Sequence, residues 1–237
     1  PELPTTTVGV ATEPLPDTVT LIGGSAPMRF LSVYRTSLEP GLTNETVGKA
    51  AQQQLMGFKD TSADELRASH TAAWGALWAT GGIEVGGNAT IAGSVNSSLY
   101  YILSAVREDW PYGLSPGGIS RDDYFGHSFW DCETWMFPVM AALQPDIAAS
   151  LTRYRLARLP AAQARARHVG LQGAMMPWES ALTGFGESIW RPGDENEIHI
   201  TGDVPMAFRL YYRVARNTTW LQEAWPLLRD AADFFAS

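Results

Sequence analysis

The rhythm of apolar and polar positions changes twice along the chain. Residues 1 to 50 are rich in Thr, Pro, Gly and Val, with short extended candidates at Thr18–Ile22 and Arg29–Tyr34 and no Ala-rich helix. From Ala50 the character changes, and Ala63–Ala79 reads as a helix with apolar residues at Leu66, Ala73, Leu77 and Trp78. Asn96–Val106 predicts a strongly apolar helix opened by a capping Asn or Ser. A loop rich in Pro and Gly, DWPYGLSPGGISRDDYFGH, then fills 109–127, and its aromatics argue against disorder.

The stretch FGHSFWDCETWMFP (125–138) leads into a helix ending near Leu143. Gln144-Pro145-Asp146 breaks the pattern. Helices are expected over Ile147–Arg158, with Asp146 as cap, and from Pro160 to about Val169. Gly170–Gly202 is irregular; Asp203 is expected to cap a helix to about Arg216, and a helical pair follows from Thr219. Helices alternating with long loops, with no strands between them, predict helical hairpins in series. The expected division is the end of a β-rich domain over 1–55, a helical linker over 56–92 and a helical domain over 93–237.

Composition narrows the function. With 237 residues, 45% hydrophobic and 18% charged, the chain suits one large globular domain or a core plus a smaller piece. A net charge of −8 without any Lys/Arg run argues against a nucleic-acid partner and favours a neutral or cationic ligand. No apolar run approaches the ~18 residues of a membrane-spanning helix, so no membrane partner is expected. Nothing at the N-terminus resembles a signal peptide, although a chain beginning at Pro1 is expected to start upstream. Cys132 is the single cysteine, so no internal disulfide can form. Asn-x-Ser/Thr triplets at Asn44, Asn88, Asn96 and Asn217 favour a secreted or a vacuolar/lysosomal location, with the cytoplasm left open.

The candidate chemistry lies in the aromatic stretches. Two acids beside five aromatics at 125–138 have two readings. Asp131 and Glu133 can cap a helix, or the aromatic planes and carboxylates can serve a polyhydroxylated ring, stacking on its C–H face and accepting its hydroxyls. On a regular helix Trp130 and Glu133 share one face, and Asp131 and Trp135 a neighbouring one. Pro138 either kinks that helix or marks a later start. A second Trp-acid pair, Trp178-Glu179, stands in a loop between helices and points to one shared pocket. Of the nine Trp, Trp74, Trp78, Trp220 and Trp225 read as core. In Asp194-Glu195-Asn196-Glu197-Ile198-His199, Glu197 and His199 fall on one side of an extended segment, but no second His lies at ligand spacing and no metal is expected. The chain has no G-x-S-x-G elbow, Walker loop, G-x-G-x-x-G fingerprint or H-E-x-x-H helix, and no cofactor is expected.

GHSFWDCETWMFP, QPDIAASLTRYRLARLPAAQARARHVGLQGAMMPWES and NEIHITGD, in that order, resemble the catalytic domain of glycoside hydrolase family 65, in its acid-trehalase-like branch. The match runs from about Ser97 to the end; residues 1–60 match loosely. The resemblance implies a mainly α fold, a partial (α/α)6 toroid preceded by the end of a β-sandwich. It also implies inverting attack on an α-glucosidic bond of a carbohydrate carrying terminal α-glucose. Trp130 and Asp131 match the family's Trp-Asp that grips the non-reducing glucose, with Asp131 the candidate catalytic carboxylate. Trp178 and Glu179 match its second Trp-Glu, and His127 and His199 fall at motif positions as further substrate-binding candidates. The family's general acid, the Glu of Pro-Asp-Glu-Tyr-His, is expected beyond Ser237. The resemblance therefore implies an incomplete catalytic domain, expected to be inactive alone and to leave apolar helix faces uncovered. A phosphorylase of the same fold and a non-catalytic sugar-binding protein are the alternatives.

Overall fold

The structure is a computed structural model and describes residues 6–18, 20, 29–189 and 195–237. The chain forms two compact units, 1–77 and 78–237. In the first, strands β1 (Val8–Thr12) and β2 (Ser32–Thr36) pair antiparallel, with Val10 opposite Tyr34. Helix α1 (Val47–Phe58) covers them, and Ala11, Val33 and Ala51 form a small core closed by Leu55 and Phe58. The strand expected at Arg29–Tyr34 sits a few residues later, and most of Thr18–Ile22 lies outside the described residues. Helix α2 (Ala63–Thr80) opens with a reciprocal cap: Ser62 N donates to Glu65 Oε2 at 2.8 Å and Glu65 N to Ser62 Oγ at 3.2 Å.

The second unit is helical. Helix α3 spans Ala89–Ser104, so it starts earlier than expected from Asn96. Asn88 caps it by accepting from Ile91 N at 3.0 Å, while Ser94 and Ser97 bond back to carbonyls of their own helix. These back-bonds let a polar run lie inside a helix. A π-helical turn, Cys132–Met136, then feeds α4 (Phe137–Leu143), followed by α5 (Pro145–Ala157) and α6 (Leu159–His168). Helices α7 (Ile200–Ala215) and α8 (Thr218–Ala236) complete the unit. Helix α5 packs against α4 and α7, and α8 against α6 and α7, around Phe137, Met140, Tyr154, Phe208 and Leu227.

Several end signals act differently from expectation. Asp146 is inside the first turn of α5 rather than capping it, because Pro145 already occupies the start. Gln144 precedes it and turns inward, accepting from Thr80 Oγ1 at 2.9 Å. Asp203 lies one turn into α7. The expected final helical pair is the single helix α8, which passes through Pro226 because Trp220, Ala224, Leu227, Ala231 and Phe234 keep an unbroken buried stripe. Of the four tryptophans expected in the core, only Trp220 is buried; Trp74 and Trp78 are half-buried and Trp225 is exposed. Two of the four Asn-x-Ser/Thr asparagines, Asn88 and Asn217, are helix caps, and Asn96 lies within α3. The caps explain asparagine at those two positions without a glycan.

Candidate active site

Pro138 accounts for the turn that carries Asp131. A proline has no N–H to give, and its place is the first turn of a helix. Here Phe137 N bonds to Cys132 O five residues back, and Pro138 falls at the start of α4. The wider turn removes the regular-helix spacing. Trp130 shares its side with Trp135, ring centroids 5.7 Å apart, while Glu133 turns inward. The Trp130–Glu133 face expected from the sequence does not form. Neither acid caps a helix: Asp131 makes no capping bond, and Glu133 is buried against Arg155 of α5.

Burial sets the local charges. Asp131 is half-buried, and desolvation raises its carboxyl above the ordinary carboxylate value. Burial would lower the Arg155 guanidinium, but the Glu133 carboxylate more than offsets it and holds the arginine charged. Burial, then the Glu133 charge, pushes the Cys132 thiol far up, so it stays a neutral core group.

Two backbone hydrogen bonds join the Trp-acid segments: Ser128 N to Ser180 O at 2.8 Å and Ser180 N to Ser128 O at 3.0 Å. Gly113 allows this approach, since a Cβ there would stand 2.7 Å from Ser128 Oγ. Around the bridge, His127 Nδ1 lies 2.8 Å from Glu179 Oε1, and Phe129 meets Trp178 edge to face at 6.0 Å. His199 stands against both tryptophans, with centroids 5.0 Å from Trp130 and 6.1 Å from Trp178. Its Nδ1 is 2.6 Å from Asp203 Oδ2 and its Nε2 3.5 Å from Glu197 Oε2. These contacts bring five of the six candidates, His127, Trp130, Trp178, Glu179 and His199, into one neighbourhood, and Asp131 follows Trp130 directly in the chain. Asp194 lies outside the described residues, and among those described no three His, Cys, Asp or Glu side chains are placed to hold a metal ion.

Sequence reasoning missed the support beneath this wall. Tyr154 Oη is 2.8 Å from Ser180 Oγ and donates to Ala181 O at 2.9 Å, and Arg155 Nη1 reaches Ser180 Oγ at 3.4 Å. The signal was present: Arg155 falls at i+8 from Ile147 and i+4 from Leu151, on the buried stripe of α5. A charge on such a stripe needs a buried partner. Separately, residues 114–118, 120 and 121 line a largely apolar cleft of about 430 Å³ with Tyr101, Ile102 and Met136, which neither Trp-acid pair lines.

The family model for the glycosyl hydrolase family 65 central catalytic domain matches residues 96–237. The chain belongs to glycosyl hydrolase family 65. It is 39% identical to a protein-glucosylgalactosylhydroxylysine glucosidase of Dictyostelium discoideum, over 98% of this chain and 33% of that protein. It is 38% identical to a kojibiose hydrolase of Mucilaginibacter mallensis, over 87% and 30% of the respective chains. A kojibiose phosphorylase of Escherichia coli is 31% identical, over 80% of this chain and 27% of its own. The chain thus spans about a third of the length of the curated relatives it matches. A solved structure provisionally named as a kojibiose phosphorylase from human microbiome superposes with a TM-score of 0.74 at 18% identity, covering 97% of this chain and 33% of that one. The family 65 fold is mainly α, and the helical part is a portion of an (α/α)6 toroid.

Proposed function

We infer that this family 65 chain carries the glucose-gripping part of an enzyme acting on α-linked glucosides. The observation that carries the reading is the joining of two Trp-acid pairs across the Ser128–Ser180 bridge. Trp130 and Trp178 supply aromatic surface for the C–H face of a pyranose, and Asp131 and Glu179 supply acceptors for its hydroxyls. A partly desolvated Asp131 suits that task, because a sugar hydroxyl replaces water its carboxylate has already lost. His127 and His199 orient the two walls: one holds Glu179, the other braces both indoles.

The reaction we assign is inverting hydrolysis, in which one carboxylic acid helps the leaving oxygen depart while another activates water. Asp131 serves it by fixing the glucose, and the general acid is a further glutamate. Phosphorolysis on the same fold is the second reading, with phosphate in place of water. The 39% and 38% identities to a glucosidase and a kojibiose hydrolase, against 31% to a phosphorylase, favour water. Glucose titrated into the chain should change tryptophan fluorescence saturably, and Asp131→Ala should abolish the change. A flat titration of the unaltered chain would sink the reading.

A further inference from the structure

Phe125 and Gly126 are the central residues of a tight turn. His127 N bonds to Tyr124 O at 2.8 Å, and the two residues have φ of 53° and 73°. Positive φ at both central positions is the signature of a type I′ turn, whose relaxed occupants are Gly, Asn and Asp. A bulky residue with a Cβ is strained there. The other described non-glycine residue with positive φ, Arg216, ends helix α7 with its amide on Tyr212 O, a common way to stop a helix. Phe125 ends no helix. Its ring is not held in place by burial either, since the residue is 68% exposed.

The turn does aim that ring. Glu179 is buried, His127 Nδ1 sits 2.8 Å from it, and the Phe125 ring lies 6.0 Å from the His127 ring at 51°. The three side chains form a ladder from the buried carboxylate out to solvent. A strained backbone carrying an apolar plane at the outer rung calls for a ligand that covers the plane. We propose that Phe125 is a specificity-determining platform, on which the pyranose ring next to the gripped glucose stacks its C–H face. The proposal rests on the glucose-gripping reading above and adds a second unit to it.

Glucose and the disaccharide kojibiose, titrated separately into the chain and its variants, test this together with thermal melting. Phe125→Asn should raise the melting temperature by relaxing the turn, weaken kojibiose roughly three- to tenfold and leave glucose unchanged. Phe125→Trp should keep the preference for the disaccharide. Equal losses for both sugars, an unchanged kojibiose affinity or a lower melting temperature for Phe125→Asn would each overturn the platform. Failure of the unaltered chain to bind glucose would instead overturn the underlying reading, and the platform with it.

Discussion

Arg155 holds Glu133 through two parallel hydrogen bonds, Nε to Oε1 at 2.7 Å and Nη2 to Oε2 at 2.9 Å, with both side chains buried. One partner stands on α5 and the other in the π-turn behind Asp131. Removing a single partner strands a buried charge, so Glu133→Gln or Arg155→Met should cost about 3–5 kcal/mol. Replacing both with apolar residues should recover much of that loss. Urea denaturation of the two single variants and the double variant measures the coupling, and strictly additive losses would contradict it.

Asp131 predicts a trade between stability and binding. Burial raises its native carboxyl, so the folded chain takes up a proton more readily than the unfolded one. Its stability contribution is full below the unfolded value and is lost as pH rises through the native value. Asp131→Asn should therefore match the unaltered chain in acid and melt higher at neutral pH, while binding glucose less well. Melting curves from acid to neutral pH give the comparison; a variant less stable at neutral pH would refute it.

His199 touches both indoles and is steered by Asp203. His199→Ala should let Trp130 and Trp178 relax, altering tryptophan emission and lowering glucose affinity roughly two- to tenfold, the equivalent of losing one aromatic contact worth about 0.5–1.5 kcal/mol. His199→Phe keeps the edge contacts without the hydrogen bond and should fall between the two. Identical emission and affinity for all three proteins would remove His199 from the site.

Asn217 accepts from Trp220 N at 3.0 Å. Asn217→Ala should cost about 1 kcal/mol, and Asn217→Asp, which keeps the cap and removes the Asn-x-Thr triplet, close to nothing. Guanidinium titration separates these outcomes. A large loss with Asp would show that the amide does something other than cap α8.

Much of the candidate site was legible because its residues come in short local patterns. Trp130-Asp131 and Trp178-Glu179 could be read from neighbouring letters, and the structure brings both pairs to one bridge. The spacing inside 130–135 could not be read, because assuming a regular helix misplaces every side chain once Pro138 widens the turn. Helix ends were similarly displaced at Asn96, Asp146 and Asp203, where each polar residue had a use other than capping or lay inside the helix. Tyr154 and Arg155 act across 22 to 27 residues of sequence, a range that local patterns do not reach.

The wide turn at Cys132–Met136 also restricts how this stretch can change. Substitutions there alter single contacts, but losing one residue would close the turn into ordinary helix and rotate everything before it by about 100°. Trp130 and Asp131 would then leave the wall they share with Trp178, while α4 stayed in place. Glu133 apart, whose carboxylate Arg155 requires, the segment can vary in spelling and not in length.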